Sequence, residues 1–245
     1  MKPAAASRSS LTLEATDGHR LSAYRAVPAQ QPSASLVVLH EIFGVNAHIR
    51  EVCDDYAQRG FLAIAPALFD RSAPGVELGY DEAAVERGRT VRAGIALEGS
   101  LLDLQAAIAA AGAAGPVAVV GYCWGGTLAL LAAARLAGVA CAVGYYGAQT
   151  MPFAHEKIRV PLLLHFGELD PRIPPADIAT IRQHNPDIEM HSFPADHGFN
   201  CNHREQWHAP SAQRALELTL AFLGRHLRPS TAARTPAARE ATKDS

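Results

Sequence analysis

The sequence lacks the features that mark several large classes of protein. Its 245 residues carry a formal net charge of −2, so no excess of basic residues points to nucleic acid as a partner. The first ten residues contain no apolar segment of the kind that a secretory signal peptide requires. The cysteines lie far apart, at Cys53, Cys123, Cys141 and Cys201, which argues against a disulfide framework. We therefore expect a cytoplasmic protein that does not bind nucleic acid.

Long uninterrupted hydrophobic runs are also missing. Residues 104–134 contain no charged side chain, but Pro116 and five glycines break them up, so they suit helices and a strand better than a membrane span. No membrane partner is therefore expected. Residues 229–245 consist of Ala, Thr, Pro and charged residues without apolar periodicity. We predict a flexible N-terminus over 1–9, one domain over 10–228 and a disordered C-terminal tail over 229–245.

Apolar segments alternate with helical patterns throughout the predicted domain. A hairpin is predicted over residues 10–27, around the turn Asp17-Gly18. Further strands are predicted at 36–39, 61–66, 117–121, 140–145, 160–166 and 188–192. Helices are predicted at 46–59, in one or two pieces within 81–111, and at 127–136, 176–183 and 206–226. This alternation predicts an α/β fold: a mostly parallel central sheet with helices on both faces and an N-terminal antiparallel edge hairpin.

One glycine-rich turn lies between a predicted strand and a predicted helix. It reads Gly121-Tyr122-Cys123-Trp124-Gly125-Gly126 and has the form of the G-x-S-x-G nucleophile elbow, with cysteine in place of serine. Backbone N–H groups at the start of a helix favour a thiolate and a developing oxyanion. On this pattern alone two other interpretations stay open, because such turns also bind phosphates and most free cysteines are buried packing residues.

Two polar residues follow later strands of the same predicted sheet. Asp170 lies in the loop after one predicted strand, and His197 lies in the loop after the next. The carboxyl ends of parallel strands meet at one edge, and the order nucleophile, acid, histidine is that of the α/β-hydrolase fold. We therefore predict Cys123 as nucleophile, His197 as its base and Asp170 as the residue that orients His197. Glu168 is the alternative acid.

An early loop carries an unexpected acidic residue. The loop His40-Glu41-Ile42-Phe43-Gly44 follows the strand 36–39, at the same edge as the elbow. In α/β-hydrolases this loop supplies one backbone donor of the oxyanion hole, predicted here to be Ile42 N–H, and Trp124 N–H is predicted to be the other. Glu41 would oppose negative charge there. It is either a solvated loop residue or a carboxylate that keeps the neighbouring thiol protonated.

Together these segments resemble the dienelactone hydrolase (carboxymethylenebutenolidase) family. The resemblance rests on residues 40–46, the elbow, the segment Gly144-Tyr145-Tyr146-Gly147, Asp170 and His197-Gly198-Phe199. It implies a Cys-His-Asp triad that opens a lactone or ester through a thioester acyl-enzyme. It also implies a resting state in which the Cys123 thiol hydrogen bonds to Glu41 until a substrate carboxylate displaces the glutamate.

The sequence departs from the family where a substrate carboxylate would bind. The resemblance implies two arginines for this task, and Cys201 stands at the second of these positions. Arg204 is the nearest substitute, and Arg87 or Arg89 could fill the first position, although each is also a typical surface residue. We therefore expect a small-molecule lactone or ester as partner, anionic if these arginines bind it. The protein itself could be a monomer or a homodimer.

Three other functions remain open at this point. A catalytically inactive ligand-binding protein would keep the hydrolase scaffold without turnover. A thiol redox protein would pair Cys123 with Cys201. A metal site would recruit His197, Cys201, His203 and His208, but their spacing matches no strong metal motif, so we predict no metal and no cofactor.

Overall fold

The computed structural model describes residues 7–227, in which eight strands form one sheet. The strands are β1 (Ser7–Glu14), β2 (Arg20–Val27), β3 (Ser35–Leu39), β4 (Leu62–Pro66), β5 (Val117–Tyr122), β6 (Val139–Tyr145), β7 (Leu162–Gly167) and β8 (Glu189–Phe193). Their spatial order is β1-β2-β4-β3-β5-β6-β7-β8. The pairs β1–β2 and β2–β4 are antiparallel, and the other neighbouring pairs are parallel. The predicted mostly parallel sheet with an antiparallel N-terminal hairpin is confirmed.

Helices connect the parallel strands. They are α1 (Ala47–Gln58), α2 (Glu82–Ala93), α3 (Leu97–Gly112), α4 (Trp124–Arg135), α5 (Pro175–His184) and α6 (Ala209–His226), with short 3-10 helices at Leu68–Arg71 and Met151–Phe153. The Asn46 side chain caps α1 by accepting a hydrogen bond from Ile49 N–H, and Asp81 caps α2 in the same way. Sequence patterns predicted both starts because Asn and Asp are preferred at this position.

The ends of two elements differ from the prediction. Residues 7–9 were predicted to be flexible, but they belong to β1 and extend the hairpin, with Ser7 paired to Val27. Their polar side chains carry no apolar signal, so only the backbone pairing reveals the strand. Helix α4 begins at Trp124 and not at 127, because the elbow leads directly into it. Residues 1–6 of the predicted flexible N-terminus, and the predicted tail, lie outside the described residues.

The two central strands fix where a site can form. Every residue of β3 and of β5 is buried. Since successive side chains of a strand point to opposite faces, both faces of the sheet are covered at its centre. Leu39 pairs with Gly121 in the parallel register. The loop after β3 and the turn after β5 therefore start side by side at the carboxyl edge of the sheet.

Among residues 7–227, no single helix is long and apolar enough to cross a membrane. The pair α2 and α3, bent by 93° at the break between them, passes the same test by length and composition alone.

Candidate active site

The turn after β5 holds Cys123 in a strained backbone conformation. Cys123 has φ 53° and ψ −114°, and α4 starts at the next residue. A positive φ is uncommon for residues other than glycine and costs of order 1–3 kcal/mol unless the surroundings enforce it. The Cys123 N–H donates to Tyr145 O at 2.9 Å, which ties the turn to β6. This sharp strand-to-helix turn is the geometry expected of a nucleophile elbow.

Two glycines allow the turn to form. A Cβ atom at Gly121 would overlap the carbonyl oxygen of Gly125. A Cβ atom at Gly125 would lie 2.5 Å from the carbonyl oxygen of Leu39, on the neighbouring strand. Any larger residue at these positions would push α4 away from the sheet, so both glycines serve the close approach of backbone segments.

The structure brings Cys123, His197 and Asp170 together. Nε2 of His197 lies 3.1 Å from the Cys123 sulfur, and Nδ1 of His197 donates to Oδ2 of Asp170 at 2.7 Å. The other Asp170 oxygen, Oδ1, accepts from the Arg172 N–H at 2.8 Å. All three triad side chains are buried, whereas the alternative acid Glu168 is exposed. The arrangement has the distances that nucleophilic catalysis requires of nucleophile, base and orienting acid.

The electrostatics of the triad favour a protonated histidine. Burial alone would lower the pKa of His197, but the charge on the Cys123 sulfur and the hydrogen bond to Asp170 outweigh burial and raise that pKa to about 9. Because the charged sulfur causes this rise, the imidazole carries protons on both nitrogens at neutral pH once the thiolate has formed. An imidazolium 3.1 Å from the sulfur stabilises a thiolate there and holds the proton that a leaving group will need.

Glu41 and Arg204 form a buried ion pair next to the triad. Nη1 of Arg204 donates to Oε1 of Glu41 at 3.0 Å, and Glu41 is only 2% exposed. The same guanidinium interacts electrostatically with Cys123. This differs from the resting state that the resemblance implies, because the sulfur lies beside His197 and the carboxylate lies beside Arg204. A guanidinium is a stronger partner for a carboxylate than a neutral thiol, which explains the difference.

A cavity of about 330 Å³ opens beside the sulfur. Cys123 lines it together with Ile42 and Trp124, the two residues whose N–H groups are predicted to form the oxyanion hole. The Trp124 N–H belongs to the first turn of α4, where backbone N–H groups have no carbonyl partner within the helix. The cavity therefore offers a reacting carbonyl access to the sulfur and to both predicted donor residues.

Three arginines line the same cavity. They are Arg89 and Arg92 on α2, and Arg172 in the loop that carries Asp170. Arg89 was among the residues predicted from the sequence, whereas Arg92 and Arg172 were not. Two signals were available: Arg92 follows Arg89 at the helical spacing i, i+3, and Arg172 comes two residues after the predicted triad acid. Arg87 is exposed and is not among the residues that line this cavity.

The remaining sequence candidates lie apart from this cavity. All four cysteines are free and buried, and Cys201 is 0% exposed. Within residues 7–227, one group of side chains has potential metal-ligand atoms within 4.8 Å of one another, namely His48, Glu51 and His203. Of the four residues that the sequence suggested as metal ligands, this group contains only His203. His203 Nε2 and Glu51 Oε2 lie 2.8 Å apart as an exposed pair.

A second strained residue packs against the triad. Tyr146 follows β6 with φ 39°, and its ring lies 5.1 Å from the His197 ring in an edge arrangement. Its N–H donates to His165 O at 2.7 Å on the neighbouring strand. In the sequence, Tyr146 contributes only to the family resemblance, and no local signal indicates its position next to His197. The contact supports the orientation of the histidine ring.

Comparison with known proteins decides the family. The model of the dienelactone hydrolase family matches residues 21–227. The chain belongs to the dienelactone hydrolase family. The predicted family and the predicted class of activity, that of a lactone or ester hydrolase, are thereby confirmed.

Relatives of known name and structure agree with this membership. The carboxymethylenebutenolidase of Pseudomonas putida is 34% identical over 224 residues, which cover 87% of this chain and 94% of the relative. A candidate carboxymethylenebutenolidase of Synechocystis sp. is 36% identical over 202 residues, 74% of this chain and 82% of the relative. A crystal structure of a candidate dienelactone hydrolase from Klebsiella pneumoniae superimposes with a TM-score of 0.78 at 28% identity, covering 89% of this chain and 99% of that one. The α/β-hydrolase fold is therefore confirmed as well.

Proposed function

We propose that this hydrolase opens its lactone or ester substrate by nucleophilic attack of Cys123. The observation that carries the proposal is the continuous contact from the sulfur through His197 to Asp170, at 3.1 Å and 2.7 Å. A nucleophile, a base within hydrogen-bond reach and a third group that orients the base together define this type of site.

The first half of the reaction acylates the cysteine. The thiolate attacks the substrate carbonyl, and the N–H groups of Ile42 and Trp124 stabilise the resulting oxyanion. The carbon–oxygen bond to the leaving group then breaks, a carbon–sulfur thioester bond remains, and the departing oxygen takes the Nε2 proton of His197. In a lactone the departing oxygen stays attached to the acyl chain, so the ring opens on the enzyme.

The second half of the reaction uses His197 as a base. Once the sulfur is acylated, it no longer carries the charge that raises the pKa of His197. The neutral imidazole then accepts a proton from water, and the hydroxide attacks the thioester. The carbon–sulfur bond breaks, a carboxylic acid leaves and the thiolate with its imidazolium partner is restored.

The proposed substrate is an anionic lactone or ester. Arg89, Arg92 and Arg172 give the cavity wall a positive charge, and Arg204, which interacts electrostatically with Cys123, is held by Glu41. A substrate carboxylate that bound Arg204 would replace Glu41, which is the displacement that the family resemblance implies. The ion pair supports this step because a substrate carboxylate would replace the Glu41 carboxylate as the partner of Arg204.

Burst kinetics test the proposal. A chromogenic activated ester such as p-nitrophenyl acetate should release one equivalent of nitrophenolate rapidly, and Cys123→Ala should abolish the burst. Cys141→Ala is the matched control, because Cys141 is a buried free cysteine in β6. Absence of a burst from the wild-type protein, with Cys123 unreactive towards iodoacetamide, would favour the inactive binding protein. A disulfide between Cys123 and Cys201 after mild oxidation would favour the redox protein.

The location that we propose follows from the same chemistry. A nucleophilic thiol works only in its reduced form, so we propose a cytoplasmic location. Size-exclusion chromatography with light scattering would distinguish the monomer from the homodimer.

A further inference from the structure

The first residue of the predicted oxyanion loop is a buried histidine. His40 follows β3 and is 0% exposed. Its Nδ1 lies 2.6 Å from the backbone carbonyl oxygen of Glu41, which is also buried. A carbonyl oxygen can only accept, so Nδ1 carries the proton and His40 donates this hydrogen bond.

The rest of the His40 ring fits one tautomer and one charge state. Nε2 is buried and has no hydrogen-bond partner among the described residues, so a proton there would be left unsatisfied. Burial lowers the pKa of His40 to about 4, which keeps the ring neutral at physiological pH. The ring edge packs against Phe69 at 4.9 Å and against Trp124 at 5.5 Å between centroids. His40 is therefore held in place as a single-donor side chain.

This hydrogen bond orients the next backbone amide. The Glu41 carbonyl and the Ile42 N–H belong to the same peptide group, and the structure contains no cis peptide among residues 7–227. In a trans peptide the C=O and N–H bonds point in opposite directions. When His40 holds the carbonyl on its own side, the Ile42 N–H must point away from His40. Gly88 of α2 packs against the Ile42 carbonyl, where a Cβ atom would overlap it, and so limits rotation of the following peptide.

We propose that His40 is a positioning residue of the oxyanion hole: by binding the Glu41 carbonyl it aims the Ile42 N–H at the reacting carbonyl oxygen. The proposal rests on the function proposed above. It assigns a role to a residue that does not touch the substrate but acts through the Glu41–Ile42 peptide group, whose N–H does. Its ring also packs against the indole ring of Trp124, whose backbone N–H is the other predicted donor.

Two reactions of the Cys123 sulfur distinguish a role of His40 in the oxyanion hole from a general effect on the reactivity of the thiol. Acylation by p-nitrophenyl acetate passes through an oxyanion, whereas alkylation by iodoacetamide is a displacement at carbon that forms none. His40→Phe keeps an aromatic ring but loses the donor, and we expect the acylation rate constant to fall about 10-fold to 100-fold. The alkylation rate constant and KM for the ester should stay within about 2-fold, because the thiolate and the cavity are unchanged.

His40→Asn provides the rescue, because its amide nitrogen occupies the position of Nδ1 and can donate to the same carbonyl. It should recover most of the acylation rate that His40→Phe loses. His165→Phe is the control for loss of a buried neutral histidine, since His165 lies in β7 and bonds to Thr219. It should lower the melting temperature without changing the ratio of acylation to alkylation. If His40→Phe does not fold, the smaller His40→Leu makes the same comparison.

The outcomes distinguish this inference from the proposed function. A wild-type protein that is alkylated at Cys123 but is never acylated would refute the proposed function, and this inference with it. A wild-type burst that His40→Phe leaves unchanged would refute the inference alone. Equal losses of acylation and alkylation in His40→Phe would also overturn it, because the defect would then lie at the thiol.

Discussion

The triad and the arginine-lined wall of the cavity are built in different ways. The side chains of Cys123, His197 and Asp170 are buried, and backbone hydrogen bonds tie Cys123 to Tyr145 and Asp170 to Gly167, at the ends of β6 and β7. Arg89 and Arg172 are exposed on a helix and in a loop, without a buried partner. The central sheet thus positions the triad, whereas we propose that side chains on the surrounding segments select the substrate. Changes in the first region should reduce turnover, and changes in the second should alter KM.

The largest expected effect is that of removing the orienting acid. Asp170→Asn should lower kcat/KM by about 10²-fold to 10⁴-fold, because the amide no longer stabilises the imidazolium or fixes its tautomer. Steady-state kinetics with a lactone or an activated ester measures this loss. Glu168→Gln, two residues earlier and exposed, is the matched control and should behave as wild type. A large loss in Glu168→Gln with none in Asp170→Asn would reverse the assignment.

The next largest effect is expected at the ion pair of Glu41 and Arg204. Glu41→Gln keeps the shape of the side chain but loses the charge that a substrate carboxylate would replace at Arg204, so kcat with an anionic lactone should fall about 10-fold to 100-fold. Iodoacetamide should alkylate the resting cysteine faster, since a negative charge near the sulfur is lost. Normal turnover and an unchanged alkylation rate in this variant would show that the Glu41–Arg204 pair does not influence the cysteine.

The pH dependence tests the raised pKa of His197. Above about pH 9 the imidazolium loses the proton that the leaving group requires, so kcat/KM for acylation should fall as pH rises. A descending limb near pH 9, with roughly tenfold loss per unit beyond it, is the expected profile for one such group. A rate that keeps rising through pH 10 would mean that the departing oxygen needs no proton from His197.

The smallest effect is expected in the cavity wall. Arg92→Ala should raise KM about 3-fold to 10-fold for an ester that carries a carboxylate, and leave a neutral ester unaffected. The difference should shrink at high salt, because exposed charges are screened. Arg87→Ala on the same helix is the control, since Arg87 does not line the cavity. Equal effects of both variants would mean that the arginines act only through the overall charge.

The contrast between the triad and the cavity wall also explains which features could be predicted from the sequence. Strand ends follow from hydrophobic patterning, and parallel strands bring their carboxyl ends to one edge, so Cys123, Asp170 and His197 could be found from local patterns. The bond between Glu41 and Arg204 joins residues 163 positions apart through the path of a loop, which no local pattern encodes. The start of α4 at Trp124 was missed because glycine-rich turns do not look helical.

Exposed arginines were the hardest feature to predict. Arg92 and Arg172 look like ordinary surface residues in sequence, and it is the fold that places them, on α2 and in the loop after β7, around one cavity with the sulfur. The donor role of His40 was missed for a related reason. It depends on the rotamer of one side chain relative to the next carbonyl, and sequence patterns do not determine this.

Mass spectrometry of the acid-quenched enzyme tests the central claim most directly. During turnover of p-nitrophenyl acetate, the wild-type protein should carry one acetyl group in a thioester at Cys123, located by peptide mapping and removed by hydroxylamine. Cys141→Ala should carry the same modification, and Cys123→Ala should carry none. Turnover by the wild-type protein without any acyl group on Cys123, or undiminished turnover by Cys123→Ala, would contradict the account.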